Sequence, residues 1–161
     1  MTRTYVDLLA LVASLAALAV RPAMFGYLLA LAISAISFKR LNWLGGRRAY
    51  LLPAIAVYLA AFTADLLTGP KSPPANIIVA DILAPIVEEV VFRGLTFRVL
   101  PLWGAIPVST VVFALLHPYP LLALAYAIAL TLAYMGGGLA ASIALHAINN
   151  IVWTAIYLGP L

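Results

Sequence analysis

Long apolar runs, broken only by short polar stretches, constrain this chain more than any single motif does. Crossing a hydrocarbon core takes a helix of about 20 residues, with some spread for tilt and bilayer thickness. Runs of that order lie at 5–20, 22–38, 49–68, 76–98, 102–117, 119–135 and 139–158. No block of about ten residues alternates polar with apolar, as a membrane β-strand must. The runs are rich in alanine and leucine, which suit helices. The pattern predicts an all-α, multispanning transmembrane helical bundle of about seven membrane segments, six to eight being compatible with the spread in span length.

Composition closes off other classes. Of 161 residues, 66% are hydrophobic and 9% charged, and the mean hydropathy is +1.13; a soluble domain of this size needs far more polar surface. The net charge of +4 is spread between apolar blocks with no basic stripe, so nucleic acid is not an expected partner. There is no cysteine, which excludes disulfides and thiolate-held metals. No cofactor is firmly implied, although zinc held by histidine and carboxylate remains allowed.

The breaks orient the bundle. Lys39, Arg40, Arg47 and Arg48 surround Gly45-Gly46, a turn signal, and the positive-inside rule places this loop, with Arg3, in the cytoplasm. The 69–75 stretch, GPKSPPA, then falls on the opposite face, and 76–98 returns to end at Arg98. Pro101, the HPYP stretch at 117–120 and Gly136-Gly137-Gly138 interrupt the rest. The first run follows Arg3 as a secretory signal does, but an apolar run resumes at Pro22, so its retention as a helix is expected. Without a repeat or a long linker, residues 1–161 read as a single transmembrane domain in a cell membrane, with 1–68 as packing helices and 76–158 as the chemical core.

Six polar residues sit where an apolar span should continue: Glu88, Glu89, Arg93, His117, His146 and Asn150. An ionisable group inside a membrane is costly and marks a functional site by default. Glu88 falls roughly 15 Å from Arg98 and roughly 18 Å from Asn76 along a helix. Glu89 and Arg93 are four apart and share a face, so they can pair, leaving Glu88 the freer carboxylate. His117 closes an apolar segment, and an imidazole beside a carboxylate can make a water nucleophilic. His146 and Asn150, again four apart, can both donate to one oxygen. Each group also has a plainer reading: a structural ion pair with Glu88 lining a wet cavity, a helix-capping histidine, and hydrogen bonds between helices. Asn149 reads as a packing contact, Asp65 as an interfacial residue, and Asp81 as a second carboxylate near Glu88, with Pro85 between them able to turn that face away.

EEVVFR at 88–93, FALLH at 113–117 and HAINN at 146–150 together resemble the three motifs of the CAAX-protease and bacteriocin-processing family of intramembrane endopeptidases, also called Abi, CPBP or Rce1-like. The match covers about half of the chain, residues 76–158. The resemblance implies that Glu88 with His117 activates the hydrolytic water, that Glu89 and Arg93 support the helix that carries it, and that His146 and Asn150 stabilise an oxyanion. It implies a membrane-associated peptide or protein substrate, which in the family's eukaryotic branch is prenylated, and either a glutamate-dependent or a metal-dependent mechanism.

Two other classes use the same residue types: a non-catalytic scaffold or immunity factor binding a peptide or lipidated chain, and a proton-coupled transporter, which an inverted repeat would favour. Hydrolysis is expected within or near the cytoplasmic half of the membrane. One geometric tension goes with this: with straight helices rising from the cytoplasmic face, His117 stands about 22 Å up and His146 only about 12 Å.

Overall fold

The computed structural model describes residues 3–68 and 73–159. Those residues form helices joined by short turns, with no strand among them. They are α1 (Arg3–Leu18), α2 (Ala23–Arg40, its end wound as a 3₁₀ helix over Ala35–Arg40), α3 (Arg48–Leu67), α4 (77–99), α5 (Leu102–Leu115), α6 (120–137) and α7 (139–158). Proline sets several of the starts: Pro22 and Pro101 precede α2 and α5, and Pro120 opens α6, where a missing N–H costs nothing. The first four residues of the expected 69–75 loop lie outside the described residues.

The glycine triplet breaks the chain at one residue. Gly136 and Gly137 remain helical, whereas Gly138 has φ +75° and ψ −168°. Tyr126 and Trp153 would stand about 40 Å apart in one straight helix. Instead Tyr126 packs 6.0 Å from Tyr58, and Trp153 packs 5.4 Å from Phe62, one turn along α3. The chain therefore reverses at Gly138, and α6 and α7 form a hairpin.

The basic loop is more than a turn, because it caps that reversal. A helix end leaves backbone groups without intrahelical partners. Here the Leu139 and Ala140 amides that open α7 donate to the carbonyls of Asn42 and Trp43, at 2.9 and 3.0 Å, and the Arg47 amide donates to the Met135 carbonyl near the end of α6, at 2.9 Å. Glycine is required on both sides of the contact. A Cβ at Gly138 would lie 2.9 Å from the Asn42 oxygen, and one at Gly46, itself at φ +157°, would lie 2.3 Å from the Met135 oxygen.

Helix α4 occupies the centre. Every residue from Val87 to Thr96 is buried, as expected of a helix enclosed on all sides. The helices around it are the reverse. Ala23–Arg40, Arg48–Leu67 and Pro120–Leu158 are long and apolar enough to cross a membrane, yet only 22%, 17% and 50% of their most apolar windows are buried within the protein. Leu28, Leu52, Leu59 and Ile151 are among the side chains turned outward. α1 and α5 are shorter apolar helices. Where α1 meets α2, small residues allow close approach, and Ser14 and Ser34 hydrogen-bond at 3.0 Å. At the end carrying the basic loop, buried Asp7 of α1 accepts from Ser37 at 2.5 Å, Arg40 at 2.5 Å and Arg98 at 2.7 Å, clipping α1, α2 and α4 together.

Candidate active site

The pair expected between Glu89 and Arg93 is present at 2.9 Å, with both side chains fully buried. Its reach exceeds one helix. The Arg93 guanidinium also donates to the carbonyls of Ser109 on α5, at 3.0 Å, and Ala127 on α6, at 3.2 Å. It lies 4.5 Å from the centre of the Phe113 ring, a cation–π contact. The Glu89 oxygen that meets Arg93 also meets Nδ1 of His146 on α7, at 2.9 Å. Four helices are thus held through two side chains, in surroundings where an unsatisfied polar group is costly. A π-type turn over Val90–Leu95 widens α4 beside the pair, and the Thr96 hydroxyl takes up the Val91 carbonyl at 2.9 Å.

Glu88 points elsewhere, as neighbouring residues on a helix must. Its Oε2 lies 3.8 Å from Nε2 of His117 and 4.0 Å from Nε2 of His146. Those distances are beyond a direct hydrogen bond. The other nitrogen of each ring is committed: His117 Nδ1 donates to the Phe113 carbonyl at 2.8 Å, and His146 Nδ1 donates to Glu89. A backbone carbonyl only accepts, and so does an ionised carboxylate. Each ring therefore carries hydrogen on Nδ1 and turns its Nε2 toward Glu88. The tension in height between the two histidines is resolved here, since both imidazoles reach one carboxylate oxygen.

Phe113 matters beyond marking a spacing. Its ring stacks 4.4 Å from His117, meets Phe92 edge-on at 5.2 Å and lies 6.1 Å from His146, so it supports both imidazoles and the guanidinium. Asn150 is brought to the same region, but its amide donates to the Ala80 carbonyl at 2.7 Å and it shares no acceptor with His146. Asn149, expected to serve packing, lines the cavity beside Asn150 and donates to its oxygen at 3.3 Å. Asp81 is turned away from the cavity, held by the Thr154 hydroxyl at 2.8 Å. Asp65, read as interfacial, stands near the end of α3, is 6% exposed, accepts from Tyr126 at 3.1 Å and lines the cavity.

The cavity measures about 250 Å³ and is lined by Glu88, His117, His146 and Asn150 among largely apolar neighbours. It runs from the middle of α4 to Pro118 and Tyr119 at the α5–α6 turn, with Asp65 near the end of α3 and Ala80 near the start of α4. The cavity thus extends from mid-bundle toward the end opposite the basic loop. Among the described residues, no group of three or more His, Cys, Asp or Glu is arranged to hold a metal ion.

A family model described as type II CAAX prenyl endopeptidase, Rce1-like, matches residues 70–152, just over half of the chain. The chain belongs to the Rce1-like family. No curated protein and no solved structure matches it. The Rce1-like segment contains all six polar residues singled out above, on α4, in the turn after α5 and on α7. It does not contain the residues of α2 and α3 that also reach the site. Of these, Tyr27 donates its hydroxyl to Glu88 Oε1, and Tyr58 and Asp65 line the cavity. Nothing in the spacing of Tyr27 distinguishes it from an aromatic residue packed in an apolar run. An Rce1-like chain is one of a protease family that acts on membrane-associated proteins.

Proposed function

We propose that this protein is an intramembrane endopeptidase that uses Glu88 and His117 to activate water against a peptide bond entering the cavity. The observation that carries the reading is the convergence of two imidazole Nε2 atoms on one oxygen of Glu88 in a cavity wall, with no direct bond among the three. Glu88 and His117 placed in this way can accept the two protons of a water molecule, whose lone pair is then free to aim at a carbonyl carbon. Glu88 takes a proton as the water oxygen bonds to the scissile carbonyl carbon. The resulting tetrahedral oxyanion is met by His146 and Asn150. Glu88 then returns the proton to the amide nitrogen, the C–N bond breaks, and a carboxylic acid and an amine are released.

His146 and Asn150 can serve the oxyanion only in particular ways. With Nδ1–H given to Glu89, His146 donates from Nε2 as an imidazolium, and the Glu89 carboxylate behind it balances that charge. Asn150 gives one amide hydrogen to Ala80 and retains a second.

All seven helical units are proposed as membrane segments, with the N-terminus and the basic loop in the cytoplasm. In this orientation the rim of the cavity at Pro118 and Tyr119 faces the outer side, with Glu88 at mid-helix, whereas the expectation drawn from sequence puts hydrolysis within or near the cytoplasmic half. Residues 76–158 supply the proposed chemistry, and 1–68 supply part of the cavity wall. The substrate is a membrane-associated protein or peptide whose chain reaches the cavity near the α5–α6 turn, and lipidation would seat it beside the outward-facing apolar helices.

The deciding experiment uses E88Q, purified in detergent, with a quenched-fluorescent farnesylated peptide as probe. Hydrolysis should be abolished while the melting temperature is kept. Cleavage by E88Q at the wild-type rate would overturn the assignment, and undiminished peptide binding without cleavage by the wild-type protein would favour a scaffold.

A further inference from the structure

We infer that Tyr27 is the positioning residue for Glu88, which extends the active machinery into α2, outside the segment that the family match covers. The role in hydrolysis rests on the reading above; the contact itself does not. Glu88 has two carboxylate oxygens with different surroundings. Oε1 accepts from the Tyr27 hydroxyl, and Oε2 faces the two imidazoles. The terminal torsion of a glutamate is broad and nearly two-fold, so a carboxylate without a partner samples many orientations. The phenol removes that freedom by occupying one oxygen and leaving the other toward the cavity.

The nature of the donor matters as much as its position. Glu89 is held by a guanidinium and an imidazole, partners that commit its charge to structure. Glu88 is held by a neutral hydroxyl, which fixes geometry without a full positive charge competing for the carboxylate. Two adjacent glutamates on one helix are separated in this way into a supporting group and a reactive one. Tyr27 is well placed for this purpose because its ring packs against the buried core around α4 while its hydroxyl emerges at Glu88.

Tyr27→Phe tests the assignment, since it removes the hydroxyl and retains the ring. With the farnesylated probe, kcat should fall about tenfold while KM stays within about twofold, the pattern of lost transition-state stabilisation. A second measurement needs no turnover: labelling by dicyclohexylcarbodiimide, an apolar reagent for membrane carboxyls, read by mass spectrometry. Y27F should label at Glu88 several-fold faster than the wild type because Oε1 is uncovered, with Glu89 unlabelled in both. Wild-type kcat, equal labelling of Glu88, or labelling that spreads to Glu89 would each overturn the positioning role. If E88Q still cleaves while Y27F labels faster at Glu88, the hydrolase reading fails and the Tyr27–Glu88 contact stands.

Discussion

One oxygen of Glu89 receives both Arg93 Nη1 and His146 Nδ1, each at 2.9 Å, so the supporting carboxylate is one of the points where α4 and α7 are joined. Removing Arg93 leaves this carboxylate buried and strips the Ser109 and Ala127 carbonyls of their donor. Arg93→Ala should therefore cost stability as well as rate, by about 3 kcal/mol or more. Arg93→Lys should recover little, since an ammonium cannot span three acceptors in a plane. Melting in detergent, followed by tryptophan fluorescence, measures both; a normal yield and melting point for R93A would count against the role.

Gly138→Ala places a side chain in a left-handed backbone conformation and within 2.9 Å of the Asn42 carbonyl. The strain and the clash together should destabilise the protein by about 2 kcal/mol or more. The Leu139 and Ala140 amides should become faster to exchange with deuterium. Unchanged exchange at these two amides would show that the α6–α7 reversal tolerates a Cβ.

Asp7→Asn weakens the clip at the basic end without touching the cavity. A loss of about 1–2 kcal/mol is expected from replacing a buried carboxylate that accepts charged donors. The cleavage rate at low temperature should match that of the wild type. A large fall in kcat at temperatures where D7N is fully folded would mean that the two ends of α4 are coupled.

The absence of cysteine makes topology simple to test. Leu44→Cys lies in the basic loop and Tyr119→Cys at the cavity rim. In intact cells a membrane-impermeant maleimide should label Y119C and spare L44C until the membrane is opened. The reverse order would place the cavity on the cytoplasmic side and restore the expectation drawn from sequence.

Helix positions were legible because proline and glycine punctuate the apolar runs, and the six polar residues because charge is rare inside such runs. Pairs four residues apart, Glu89 with Arg93 and Phe113 with His117, are local and announce themselves by spacing. Tyr27 with Glu88 and Tyr126 with Asp65 each bridge 61 positions of sequence, and no local periodicity reports contacts of that range. Asn150 illustrates the limit from the other side. Its spacing from His146 gave a shared acceptor, whereas the fold supplied a closer one in the Ala80 carbonyl of another helix.

The loop that caps the α6–α7 reversal has a consequence for dissecting the protein. Asn42, Trp43 and Arg47 complete the backbone of helix ends that lie far downstream, at Leu139, Ala140 and Met135, so the C-terminal half borrows its ends from the N-terminal half. A fragment restricted to the family-matched residues would begin life with frayed helix ends and without the phenol at Glu88. Expressed as two pieces divided near residue 70, the chain has a route to reassembly, because each piece holds what the other lacks.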